Sequence, residues 1–541
     1  MNHLSLYFQT IAKRKGGHTG PPLPSQTRRA PEVAAQGRRP GRRLGQAWPE
    51  GHEAGRKPAR PGVLPYETHA PGERRLTGRQ GRGKMAQPMC RRRSRIPVFH
   101  LLCLALTAAW LQGASGARAA GLFDLAGITD TRLENGLHVI VSPDDGADVV
   151  AINVIVRGGA ASEWGHRRGV AHYLEHMIFK GTPTRGVGEI ERAIESLGGT
   201  INAGTLRDYS QFYIVVASPF FAQALDVLAD AVLHPAFPAE EIERERGVIL
   251  AEADRLADMP DPLLWRRAFA EAFPAHPYGA AISGSLDDIR AITREDLVRF
   301  HDTWYVPGNM AVVVVGNVAP EDAFKEIKRA FGGAAAREAP ALRFSPAPEQ
   351  KDARLVVEER PTDKAYVLMA FRAPGMIEHP GDIVALDLAL AILGDGYTSR
   401  LQRLVKERMP FVYRAGTDFL TQREPGLAGV SAVCDPRRVS EARRALEAVV
   451  EGLRSEAVSS AELEKAKRVT RRNFAFSNET YAEQAETLGF YDALIGYQFA
   501  CSYLRAVDRL TARDVLQAAR QYLDPRRGTW VILQPPGAGK P

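Results

Sequence analysis

Beyond about residue 120 the chain alternates between two apolar periods, and each change of period marks a new element. β-Branched runs at 137–141, 149–156 and 210–217 predict strands, and the unbroken apolar run 310–316 predicts a fully buried one. Apolar positions spaced for a helix occupy 169–179, where Gly181 and Pro183 stop the pattern, and recur over 190–197 and 221–233. A longer, charged helix is expected over 239–256, with Ile242, Val248 and Ile249 as its apolar positions. Residues 332–349, rich in Ala, Pro and Gly, read as a linker between an N-terminal half, 120–331, and a C-terminal half, 350–541. After the linker the same order of elements returns. A strand at 365–371 answers 151–157, a helix at 383–393 answers 170–180, and 463–473 answers 242–252.

Length and composition add little to this picture: 541 residues leave room for two to four domains, and 45% hydrophobic with 25% charged residues is ordinary for a globular chain. Charge adds more. The net charge of +8 suggests a nucleic-acid partner until its distribution is read. Residues 1–119 hold 22 basic and 5 acidic side chains, which leaves 49 basic and 58 acidic in the remainder. The globular part is therefore mildly acidic, and no nucleic-acid role is expected.

The basic segment divides in two. Residues 1–84 are rich in Arg, Pro and Gly and carry little apolar periodicity, so they are either a disordered extension or sequence upstream of a true start at Met85 or Met89. Residues 85–119 are laid out as a signal peptide, with the basic run 91–95, an apolar stretch over 96–111 and the small-x-small triplet Ala117-Arg118-Ala119. That stretch is shorter than the ~20 residues a spanning helix needs, so export with cleavage, to the periplasm or outside the cell, is expected without a lasting membrane anchor. Cys90 and Cys103 fall in this leader. Cys434 and Cys501 would remain, as one disulfide or as two buried thiols, and without a CxxC pair they do not form a metal site.

The candidate chemistry lies in the 169–179 helix, which contains His172-Tyr-Leu-Glu175-His176. His172 and His176 stand i, i+4 and project from one face, with Glu175 on the same side. Two neutral imidazoles on Zn²⁺, with a carboxylate beside the water, fit that spacing. A catalytic zinc also needs a third protein ligand. Glu245 and Glu252, seven apart on one helix face, supply Glu252 as the ligand and Glu245 as a carboxylate that orients the site from behind. At the corresponding places the second half has Ala385, Leu388, Ala389 and Asn473, so a single zinc per chain, in the N-terminal half, is expected.

With the segment His172-Tyr-Leu-Glu175-His176-Met-Ile-Phe-Lys-Gly-Thr, the 76-residue step from His176 to Glu252 and the motif Gly199-Thr-Ile-Asn202-Ala203, residues 130–541 resemble the pitrilysin/insulinase family of inverted-motif zinc peptidases. The resemblance implies an α+β fold of two homologous halves, each a mixed or antiparallel sheet with helices packed on one face, the halves facing each other across a cavity. It implies zinc on His172, His176 and Glu252, and Glu175 as catalytic base. It also implies a peptide substrate added as an extra strand near Asn202 and Ala203. Family members present an Arg and a Tyr to the substrate from the second half; here Lys406 and Tyr413 stand at those places, after an altered turn at Gly394-Asp-Gly-Tyr397. Lysine does not reproduce a bidentate arginine grip, so the pair is open to supply by a partner chain. The implied assembly is a homodimer, or a heterodimer with a related zinc-less subunit. The functions this leaves are an exported zinc endopeptidase, a non-catalytic or partner-dependent subunit of a peptidase or scaffold complex, and a metal-binding protein without peptidase action. The intact ligand set favours the first, and the absence of further Cys or His ligands disfavours the last.

Overall fold

Two mixed sheets with the same strand pattern organise the protein. The computed structural model describes residues 123–163 and 165–539, and the expectations for 1–84, for 85–119 and for Cys90 and Cys103 lie outside them. The first half runs β1 (Thr129–Arg132), β2 (His138–Pro143), β3 (Val149–Val156), α1 (Val170–Met177), α2 (Glu189–Ser196), β4 (Thr200–Thr205), β5 (Ser210–Ala217), α3 (Phe221–Leu233), α4 (Ala239–Asp258), α5 (Pro260–Ala272), α6 (Leu286–Ala291), α7 (Arg294–Trp304), β6 (Met310–Gly316) and α8 (Pro320–Phe331). The second half runs β7 (Arg354–Glu359), β8 (Ala365–Arg372), α9 (Pro380–Gly394), β9 (Val412–Leu420), β10 (Leu427–Cys434), α10 (Val439–Ser455), α11 (Ser460–Phe476), α12 (Tyr481–Leu494), α13 (Gln498–Arg509), α14 (Ala512–Tyr522) and β11 (Thr529–Gln534).

The first sheet has the order β1-β2-β6-β3-β5-β4 and the second β7-β11-β8-β10-β9. Set β1 aside and the two match strand for strand. Each opens on a parallel pair, β2 with β6 and β7 with β11, and continues antiparallel to an edge strand, β4 or β9. The duplication read from the order of elements is thus a duplication of topology.

Each sheet carries its own helices on one face. In the first half, alternate residues Val150, Ile152, Val154 and Val156 of β3 pack with Leu174, Leu225 and Leu228. The other face of each sheet is covered by a helix from the opposite half. Helix α12 lies on β3 and β6, its Ala485, Leu488 and Tyr491 in one core with Ile155, Val313 and Val315. Helix α5 lies on β8 and β11, its Leu263, Leu264 and Phe269 packed with Leu368, Ala370 and Val531. This reciprocal exchange makes the two halves one body with cores that cross the linker. Residues 335–353 carry no helix or strand. Among the described residues no helix is long and apolar enough to cross a membrane. Cys434 and Cys501 are both buried free thiols, and burial pushes Cys434 up to about 12.

A polar latch joins the halves beside α12. The His138 ring on β2 lies between two carboxylates, Nε2 3.1 Å from Asp130 Oδ2 and Nδ1 3.1 Å from Asp492 Oδ1 on α12. Arg157 pairs with the same Asp492 (2.5 Å), and the Tyr497 hydroxyl donates to Asp130. Burial works against the imidazolium, but the Asp492 and Asp130 carboxylates outweigh it and raise the His138 pKa above its usual 6.5. The stabilisation from this pair is therefore complete below about pH 6.5 and lost as pH rises through the folded-state value. His138→Gln is expected to cost about 1 kcal/mol at pH 6 and much less at pH 9. Urea midpoints at the two pH values check this, and a cost that does not change with pH would contradict it.

Candidate metal centre

The chain reaches the site through a tight approach to α1. After β3, the turn Ala160–Ser162 hydrogen-bonds to the end of the β4–β5 hairpin, Ala160 N to Leu206 O (2.9 Å) and Ala161 N to Arg207 O (2.8 Å). Helix α1 then starts after Gly169, whose φ of +84° is left-handed and at which a Cβ would stand 2.2 Å from the Ser283 carbonyl oxygen. Only glycine fits there. The apolar face of α1, Val170, Tyr173, Leu174 and Met177, is fully buried in the first-half core, which turns the His172, Glu175 and His176 face toward α4 and β4.

On that face one nitrogen of His172, one of His176 and a carboxylate oxygen of Glu252 all lie within 4.8 Å of one another. His176 Nε2 is 3.4 Å and His172 Nε2 4.0 Å from Glu252 Oε2. Ligands held ~2.0–2.2 Å from a tetrahedral zinc stand a little over 3 Å apart. The His176 pair has that spacing and the His172 pair is about half an ångström wider, and two imidazole nitrogens with one carboxylate oxygen are the donor set that suits this ion. Across the described residues this is the one group of three or more His, Cys, Asp or Glu side chains close enough to share an ion. Ala385, Leu388 and Ala389 are buried apolar residues of α9, and Asn473 donates to Asp395, so the second half repeats the frame without the donor set.

The two glutamates of α4 separate by position. Glu252 faces both imidazole Nε2 atoms, whereas Glu245 lies behind, its Oε2 3.0 Å from His176 Nδ1. With Nδ1–H donating to Glu245, the Nε2 lone pair of His176 is directed to the ligand position. Glu245 also holds Lys180 Nζ at 2.9 Å through Oε1. Burial opposes its ionisation, but the bonds to His176 and Lys180 prevail and hold the carboxyl at about 2. Lys180 thus extends the line that aims His176. Lys180→Met is expected to weaken zinc binding about tenfold, and Lys180→Arg to restore most of it. Chelator competition measures this, and an unchanged Kd in the Met variant would remove Lys180 from the line.

Glu175 is 6% exposed and stands beside the group without belonging to it, its Oε2 3.9 Å from His172 Nε2. Thr205 Oγ1, on the last residue of β4, donates to that oxygen (3.4 Å). Asn202 and Ala203 lie on the same strand, paired with Tyr213 and Phe212 of β5, and among the described residues β4 has no strand on its other side. The open edge therefore runs to within reach of Glu175. The polar segment after it is tied down: Arg207 stacks on Phe269, and Asp208 accepts from the Tyr278 hydroxyl and from Arg423 N (3.0 Å) of the second half. Lys406 and Tyr413 are not brought to the cluster. Lys406 is exposed at the end of a short π-helical turn, Gln402–Lys406, and Tyr413 is 48% exposed on edge strand β9. No hydrogen bond or ion pair among the described residues joins either to the histidines. Thr205 and Lys180 are the contributors that motif reading passes over; a bare threonine at a strand end carries no signal, whereas Lys180, a cation just beyond the end of α1 and four residues past His176, does.

A family model described as "Insulinase (Peptidase family M16)" matches residues 139–285, and one described as "Peptidase M16 inactive domain" matches 291–470. An uncharacterized zinc protease of Mycobacterium leprae is 29% identical over 429 residues, 78% of this chain and 95% of its own length. A crystal structure of a protease from Helicobacter pylori superposes with a TM-score of 0.71 at 26% identity, over 75% of this chain and 99% of that one. The first half of the periplasmic protease PqqL from Escherichia coli superposes with a TM-score of 0.64 at 18% identity, over 77% of this chain and 94% of that half, and so shares the fold.

Proposed function

Because the chain belongs to the insulinase (M16) peptidase family, we propose that it is an exported zinc endopeptidase that cleaves peptides and unfolded protein segments. The observation that carries this reading is the clustering of His172, His176 and Glu252 donor atoms with Glu175 3.9 Å from His172 Nε2. Zinc held there by His172, His176 and Glu252 would supply Lewis-acid polarisation of the scissile carbonyl and would lower the pKa of a water to about 7. The chain does the rest. An extended peptide adds to the open edge of β4, its backbone pairing with Asn202 and Ala203, which sets the scissile bond against Glu175. Glu175 takes a proton from the attacking water and passes it to the leaving amine nitrogen, so that one water is consumed and a carboxyl and an amine are formed. The Tyr413 hydroxyl, brought over the site from a second half, would donate to the developing oxyanion, with Lys406 holding the substrate's backbone.

The exposed positions of Lys406 and Tyr413 favour a shared site, in which these groups act on a partner's substrate. The part of the chain that superposes on whole PqqL, 76% of this chain, covers 48% of that protein, which supports pairing with a second copy or with a zinc-less relative to complete an enclosing chamber. The leader layout, and the periplasmic place of PqqL, support export. The test is to present the purified chain with short peptides, with a reduced and unfolded protein, and with the same protein folded. Cleavage of the first two and sparing of the third is expected; equal cutting of the folded protein would contradict enclosure.

A further inference from the structure

The N-terminus of α1 is held by a side chain from outside the helix. Gly169 occupies the cap position and has no side chain to offer, and no other substitution fits there. Glu163 takes two of the N–H donors left open at this end: its Oε2 accepts from Gly169 N (3.0 Å) and its Oε1 from Ala171 N (3.1 Å). The residue is 1% exposed. Burial lifts its carboxyl to about 8, with the two amide bonds and the Arg168 charge pulling the other way, so the fold retains a costly buried acid at this point. Glu163 directly follows the Ala160–Ser162 turn, whose amides bond Leu206 and Arg207 at the end of the β4–β5 hairpin. The facing loop closes the clamp from the other side, since a Cβ at Gly284 would lie 2.7 Å from the Arg168 carbonyl oxygen.

We infer that Glu163 is the positioning residue of the site, fixing the helix that carries His172, Glu175 and His176 at its working distance from the β4 edge. It touches neither zinc nor substrate and acts through the backbone of α1. This deepens, and rests on, the zinc-peptidase reading. Two short links meet at one segment: one to the hairpin that ends the substrate edge, the other to the helix bearing the ligands and the base. Releasing the second link frees α1 to shift along its axis, and near-attack geometry does not survive displacements on the order of 1 Å.

The experiment compares the full chain with Glu163→Leu, which keeps bulk and removes both acceptors, and Glu163→Gln, which keeps one. Zinc Kd, kcat and KM, and amide hydrogen exchange at Gly169 and Ala171 are measured well below the Tm of each variant. For Glu163→Leu a rise in zinc Kd of about tenfold, a kcat reduced about tenfold with KM within twofold, and lost protection at the two amides are expected, with Glu163→Gln between it and wild type. A folded Leu variant with lower Tm but wild-type zinc Kd and kcat would overturn the inference, leaving Glu163 a stability residue only. If the Leu variant does not fold, Glu163→Gln decides: a threefold or greater rise in Kd supports the inference and an unchanged Kd overturns it. A wild-type chain that binds no zinc would instead sink the metal reading, and exchange protection in the same samples would then settle whether Glu163 holds the helix.

Discussion

Glu175→Gln is expected to bind zinc as the wild type does and to hydrolyse peptides about a thousandfold more slowly, within the range for loss of a positioned general base. The substitution is nearly isosteric at a residue only 6% exposed, and Thr205 Oγ1 keeps an oxygen acceptor at the same place. What is lost is the ability to accept a proton. Since Glu175 lies outside the three-residue donor group, metal content is unaffected. Turnover numbers beside zinc per chain, measured on one preparation, check both halves of this expectation. Wild-type turnover would move the base elsewhere, and loss of zinc would make Glu175 a ligand.

The second large effect separates the two glutamates of α4. Glu252→Gln is expected to weaken zinc binding roughly a thousandfold, because it removes the only anionic ligand from a three-residue set. Glu245→Gln is expected to cost about 10–100-fold, the range for a group that orients a ligand. The difference follows from which side of the imidazole each faces: Glu252 meets the Nε2 atoms and Glu245 meets His176 Nδ1. Spacing along the helix cannot make that distinction, since residues seven apart share a face. Equal losses in the two variants would mean that the ligand assignment is wrong.

Much of this was legible before the structure. The strands at 149–156 and 210–217 and the helix at 221–233 fall where their patterns place them, because each is bounded by a change of period. Helix α4 runs two residues beyond the expected 256, to Asp258, and ends where Met259 turns extended before Pro260. That His172 and His176 share one face was legible too, since i, i+4 spacing on a helix is a geometric statement. Contacts between distant residues were not. The exchange of α5 and α12 between the sheets joins side chains far apart in the chain, such as Leu263 with Val531 and Ile155 with Leu488, and their own apolar patterns name no partner. The role of Glu163 was equally hidden: it depends on Gly169 having no side chain and on the distant hairpin residues Leu206 and Arg207. Lys406 and Tyr413 rest on resemblance alone, and both side chains are exposed.

The most direct test of the central claim is peptide cleavage by the purified chain, first stripped of metal with a chelator and then titrated with zinc. The account predicts no cleavage by the stripped chain and activity that rises to a plateau at one zinc per chain, and no such rise in a His176→Ala variant. Cleavage by the stripped chain, or zinc-restored cleavage in that variant, would contradict it.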